Sequence, residues 1–275
     1  MIECVPNFSE GRDPLIVAAL CRAAGETLLD HTSDPDHNRS VLTLAGDPAA
    51  VAEAAFATVG VAVEKIDITR HTGVHPRMGA ADVVPFVPVT AATLAQCAGL
   101  ARAVGERIWK ELHVPVYLYE AAALRPECTR LENVRGSSLP PDIGEGRHPT
   151  AGVCVVGARK FLIAWNINLK TQDLTAARAI ARQIRESAGG LPAVKALAFP
   201  LWSRSQVQIS INLIDFETTP LHTVFEKVKD LCRHRNIEIA GSELIGMIPG
   251  AALEASKGHD LRWENLTRQK ILLSD

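Results

Sequence analysis

The sequence predicts an α+β protein of two similar β-α-β-β-α-β units, each a mixed or antiparallel sheet with helices on one face. Three observations predict it. Asp-Pro and Thr-Pro pairs open the helical stretches, short β-rich runs alternate with those helices in the same order in both halves, and strands of the second half alternate apolar and polar residues.

Residues 1–7 begin as a short strand. Asp13-Pro14 then sets an N-cap before a proline at the first helical position, and Gly25 marks that helix's end. Strands are expected over 27–31 and 39–44, a helix opened by Asp47-Pro48 to Lys65, and a closing strand over 66–69. The first unit is extended by a strand over 83–89, a helix from 91 to 112 capped by Thr90, and a strand over 115–120. Leu94, Cys97, Ala98, Ala101, Val104, Ile108 and Leu112 give that helix one apolar stripe. Residues 125–149 turn to charges, prolines and glycines, an irregular connection of the kind that carries function or moves. Strands over 161–169, 194–199, 206–214 and 237–245 follow, with helices over 172–186 and from Thr219-Pro220 to His234. We divide the chain into subdomains 1–169 and 170–275, the strand 161–169 marking the passage between them. The layout of each is that of a ferredoxin-like fold.

Val207, Ile209, Ile211 and Leu213 alternate with Gln206, Gln208, Ser210 and Asn212, and Trp165, Ile167 and Leu169 with Asn166 and Asn168. Helices on the apolar side leave an uncharged polar side that faces solvent or lines a groove between the units, suited to a heteroatom-rich ligand.

The 275 residues are 47% hydrophobic and 22% charged, with 29 basic against 31 acidic side chains, which excludes disorder and makes nucleic acid or an anionic membrane a poor main partner. No apolar stretch is long enough to cross a bilayer and no signal peptide opens the chain, so a cytoplasmic protein is expected. Six scattered cysteines fit reduced, mostly buried thiols.

The chemistry concentrates in residues 70–82, where His71, His75, Arg70, Arg77 and Asp82 fall within thirteen positions. A metal is not expected, because Gly73 and Pro76 break the helix that would set His71 and His75 on one face. His75 precedes a proline, so its backbone is extended and Arg77 shares its side; that guanidinium would keep the imidazole neutral, as a general base requires. A structural histidine fits the composition equally well. Asp34-Pro35-Asp36-His37-Asn38-Arg39 is a polar loop entering a strand, able to orient an amino-acid-like substrate or simply to turn in solvent. The run 152–160 ends in Arg159 and Lys160 and only superficially resembles a phosphate loop; a strand with a tight turn is expected.

Four separated motifs, 5–11 (VPNFSEG), 75–80 (HPRMGA), 115–119 (PVYLY) and 157–164 (GARKFLIA), make the chain resemble the glutamate formimidoyltransferase family over essentially its whole length. The resemblance covers the transferase part, with no room for the cyclodeaminase domain of bifunctional members. It implies transfer of a formimino group from N-formimino-L-glutamate to N5 of tetrahydrofolate as co-substrate, without a metal, in histidine degradation and one-carbon metabolism, by a homodimer with a groove between two α/β subdomains. It maps the catalytic histidine to His75 and the folate loop to 144–152, with Gly144, Thr150 and Gly152. Asp34 or Asp36 would stabilise the formimidinium cation, Thr32 standing where animal members carry an aspartate. Asn7, Asn38, Arg39, Arg77, Arg159 and Lys160 are the remaining candidates for substrate binding. A non-catalytic folate or amino-acid sensor of the same fold, and a formiminoglutamate hydrolase, are the alternatives.

Overall fold

Both Asp-Pro pairs start helices. Asp13 accepts from the Leu15 and Ile16 N–H groups at the head of α1 (Pro14–Ala24), and Asp47 does the same for Ala49 and Ala50 at the head of α2 (Pro48–Lys65). The structure, a computed structural model, describes residues 1–136 and 138–272. It divides into two compact units, residues 1–160 and 161–275.

The first unit is built on a sheet of β1 (Ile2–Cys4), β2 (Asn7–Phe8), β3 (Leu28–Asp34), β4 (Arg39–Gly46), β5 (Ala81–Pro88), β6 (Val116–Glu120) and β7 (Cys154–Ala158). β1 and β2 are successive pieces of one edge-to-edge line, interrupted at Val5-Pro6, and both lie antiparallel between β4 and β5. β3 pairs with β4 on one side; β5, β7 and β6 run parallel on the other. The sheet is therefore mixed. α1, α2 and α3 (Leu94–Leu112) cover one face, where Ile2, Leu42, Leu44, Val84, Phe86, Leu118 and Val156 form the core with Val51, Ala55, Val59, Ala101 and Ile108.

Two expectations are corrected here. Residues 66–69 are not a strand: Ile66 caps α2, Asp67 accepts from the Thr69 N–H, and Ile68 donates its N–H to Thr150 O as part of a 3-10 turn. The strand that closes the β-α-β-β-α-β order is β5. The helix expected from 91 begins at Leu94, because Thr93 and Gln96 make a reciprocal capping box while Ala91 adopts a left-handed φ of 51°.

The connection over 125–149, residue 137 of which lies outside the described residues, is held in place. Asp142 accepts from the Leu118 N–H at 2.8 Å and pairs with Arg125 at 2.9 Å. Within it α4 (Leu131–Gly136) seats Val134 against Val83, Tyr117, Tyr119, Val153 and Val155, the second, smaller apolar cluster of this unit. The run after Gly152 is strand β7 ending in a turn, as its β-branched residues predicted.

The second unit has β8 (Ile163–Leu169), α5 (Leu174–Ile184), β9 (Val194–Leu201), β10 (Gln206–Leu213), α6 (Leu221–Arg233) and β11 (Ile239–Ile245), with strand order β11-β8-β10-β9, all antiparallel. β12 (Ile248–Pro249), α7 (Gly250–Glu254) and β13 (Ile271–Leu272) complete it. α6 starts one residue later than the Thr219-Pro220 pair suggests, since the Thr219 hydroxyl donates to Pro192 O instead of capping. Val207, Ile209, Ile211, Leu213, Trp165, Ile167 and Leu169 pack under the helices. The polar side is not solvated at its centre. Gln208 and Asn168 are fully buried, Gln208 Nε2 donates to Asn168 Oδ1 at 2.9 Å, and Glu243 and Glu264 join the network.

A candidate active site around His75

Three loops of the first unit meet where β2 ends, β4 begins and β5 begins. Gly11 makes the first approach possible: a Cβ there would lie 2.4 Å from Asp34 O and 2.6 Å from Arg39 N. The Gly11 N–H donates to Asn38 Oδ1 at 3.0 Å, and Asn38 Nδ2 donates to Thr72 O at 3.0 Å, so Asn38, at a left-handed φ of 47°, ties all three loops together. Asp34 Oδ1 accepts the His37 N–H at 2.8 Å and closes the turn.

Arg77 is the second tie. Its Nε and Nη2 donate to His75 O at 3.1 and 2.7 Å, Nη2 also to His37 O, and Nη1 to Asn38 O and to the His71 ring. His71 Nε2 in turn meets Asn38 O at 3.0 Å. These bonds set His75 beside His37, with ring centroids 5.9 Å apart.

Below the loops lies a buried charge cluster. Asp82, with no solvent exposure, accepts Arg39 Nη1 at 2.8 Å and Arg135 Nη2 at 2.5 Å on one oxygen, and the Met78 N–H at 2.6 Å on the other. Arg39 also donates through Nε and Nη2 to Asn7 Oδ1. Burial alone would raise the Asp82 carboxyl, but Arg39, Arg135 and the Met78 N–H outweigh it and hold it below its ordinary value. Burial also pushes the His75 imidazole down, to about 2, and the positive charges of Arg39 and Arg135 add to the fall. The neutral His75 expected from Arg77 thus has other causes. Its Nδ1 lies 2.7 Å from Pro76 O. A carbonyl only accepts, so the proton sits on Nδ1 and the ring's lone pair is on Nε2.

The loop over 144–152 adjoins this cluster. Gly79 and Gly152 bridge as strand neighbours, a Cβ on Gly79 would come 1.9 Å from Val153 O, and Arg147 Nη2 donates to Met78 O. Gly144 has a φ of 79° and leaves room for the Trp109 ring, while the Thr150 N–H donates to His148 Nδ1 at 3.3 Å. Arg159 and Lys160 are not brought here. Arg159 donates its N–H to Phe86 O at the opposite end of β5, about five strand residues or roughly 17 Å from Asp82. Sequence reasoning missed Arg135, which reaches the cluster from α4, and the bridging role of Asp82.

All six cysteines are free. Among the described residues no helix is long and apolar enough to cross a membrane, and no group of three or more His, Cys, Asp or Glu could hold a metal ion.

Comparison with known proteins gives this geometry its family. The formiminotransferase domain, N-terminal subdomain, matches residues 1–159, and the formiminotransferase domain matches residues 164–270. A glutamate formimidoyltransferase of Streptococcus pyogenes serotype M1 is 42% identical over all of this chain and 98% of its own length. One from Thermoplasma acidophilum is 41% identical over 92% of this chain and 89% of its own. The formimidoyltransferase-cyclodeaminase of Mus musculus is 41% identical over 92% of this chain, which spans only 51% of that longer protein. The chain therefore belongs to the formiminotransferase family, as its transferase part.

Proposed function

We infer that the protein is a glutamate formimidoyltransferase that moves the formimino group of N-formimino-L-glutamate onto N5 of tetrahydrofolate, with His75 as acid-base catalyst. Similarity to two glutamate formimidoyltransferases, over all of this chain in one case and 92% of it in the other, supports the reaction. The observation that supports the residue assignment is the neutral His75, with its proton on Nδ1, set where three loops bring His37, Asn38 and Arg77 together. We take each unit as a ferredoxin-like subdomain, consistent with their strand orders, with the subdomain passage near residues 161–169. The family reading also takes the active form to be a homodimer in the cytoplasm.

The chemistry needs a proton removed and a proton delivered. As the pterin N5 forms its bond to the amidine carbon, its proton passes to His75 Nε2. As the bond from that carbon to the glutamate nitrogen breaks, the same proton passes to the departing nitrogen. The burial and charges that keep His75 neutral at the start oppose its taking the proton and favour its giving the proton back, so the imidazolium is only a transient carrier. Asp34 or Asp36, on the loop that packs against the His75 loop, stabilises the formimidinium cation. Gly144, Thr150 and Gly152 frame the folate side, beside Met78 and Gly79.

The test is product analysis. Purified protein given both substrates should release glutamate and 5-formimino-tetrahydrofolate in equal amounts; glutamate release without folate would identify a hydrolase, and folate binding without chemistry a sensor.

A further inference from the structure

Asp82 is buried between Arg39 and Arg135, and with Arg77 also in electrostatic reach the guanidiniums outnumber the one carboxylate beside a histidine that is itself neutral. A buried surplus of this kind is unfavourable until an anion joins it. The arginines differ in what they can still bind. Arg39 donates through all three of its nitrogens to Asn7 and Asp82, and Arg77 donates through all three of its own to loop carbonyls and His71. Arg135 gives Nη2 to Asp82, but its Nε is buried with no hydrogen-bond partner, while its side chain keeps 20% exposure. The exposed part is therefore not Nε, and Nη1 donates to none of the groups that hold Nη2; a guanidinium fixed by one carboxylate, with donors left over and one edge open, can take a second anion.

We propose that Arg135 is the anchor for the α-carboxylate of the formimino donor. This rests on the transferase reading above. The α-carboxylate sits two covalent bonds from the nitrogen that carries the formimino group, so an anchor close to His75 suits it. The glutamyl tail of folate carries the same chemical group, but an aromatic ring and an amide separate it from N5. Clamping the α-carboxylate beside His75 would fix the amidine carbon within reach of the attacking nitrogen.

The test uses the full chain and N-formyl-L-glutamate, which keeps both carboxylates, with its α-amide as comparison, each titrated by calorimetry. The parent should prefer the α-carboxylate by about tenfold or more, and Arg135→Gln should erase the preference by weakening the carboxylate form alone. Arg135→Lys, which keeps a cation beside Asp82 but lacks the planar fork, should retain part of it and serves if the glutamine variant does not fold. In steady state, both variants should raise KM for the donor and leave KM for tetrahydrofolate within about twofold. Equal parent affinity for acid and amide would overturn the proposal, as would equal losses for the two ligands in the variants. A rise in folate KM alone would assign Arg135 to the folate tail and overturn it too. The binding arms need no turnover, so a parent that binds with the stated preference but makes no product would count against the transferase reading alone.

Discussion

Asp82→Asn removes one buried negative charge with almost no change in volume. The carboxylate accepts from Arg39 at 2.8 Å, Arg135 at 2.5 Å and the Met78 N–H at 2.6 Å; an asparagine can keep the last through its single oxygen but turns an NH2 group toward the guanidiniums. Two charge-assisted bonds at roughly 1.5–3 kcal/mol each, lost in a site with no solvent access, put the cost near 3–5 kcal/mol, the range for breaking a buried ion pair. At about 2–4 °C per kcal/mol for a protein of this size, Tm should fall by about 6–20 °C at pH 7. The pH dependence has a definite sign. A carboxyl held below its ordinary value stabilises the fold above that value and loses the contribution as pH falls through its lower, folded-state value, so parent and variant should begin to converge only as pH drops below about 4. The assay is a thermal melt across that range. A variant melting within about 2 °C of the parent at pH 7 would refute the claim that Asp82 holds the cluster together.

Two further predictions concern the same unit. Burial raises the Glu3 carboxyl to about 7 against the opposing charge of Arg159, so ionising it costs stability as pH rises from about 4.5 to 7; Glu3→Gln should flatten that loss, worth about 3 kcal/mol, in urea titrations at pH 5 and pH 8. Gly79→Ala would drive a methyl into Val153 O and should cost at least about 1–3 kcal/mol by denaturant titration, together with activity because the His75 loop must shift.

What the sequence made legible was local. Asp13 and Asp47 announce helices because an aspartate before a proline satisfies free N–H groups where the proline has none to lose. The stripe on α3 and the alternation on β8 and β10 are periodicities, which survive into the fold because each element buries one face. The 66–69 stretch misleads for the same reason: Ile66 and Ile68 have strand propensity, but Asp67 spends its carboxylate on a turn and the Ile68 N–H finds Thr150. Likewise the density of histidine and arginine in 70–82 marks the loop that carries His75, whereas its partnership with Arg135, 53 residues beyond Asp82, has no local signature. One arginine in a stretch rich in charges and prolines becomes visible only when Val134 seats the short helix on the sheet. Arg159 and Lys160 show the reverse: they lie within a family motif, yet follow β7 at the end away from Asp82, a separation that the motif does not reveal.

The central claim is that His75 moves the proton between N5 and the departing glutamate nitrogen. The direct measurement is turnover of N-formimino-L-glutamate with tetrahydrofolate by the parent and by His75→Ala, followed by mass spectrometry with folate binding determined alongside. Loss of roughly 10²- to 10⁴-fold in kcat with folate affinity nearly unchanged is the predicted result. A variant that turns over like the parent would contradict it.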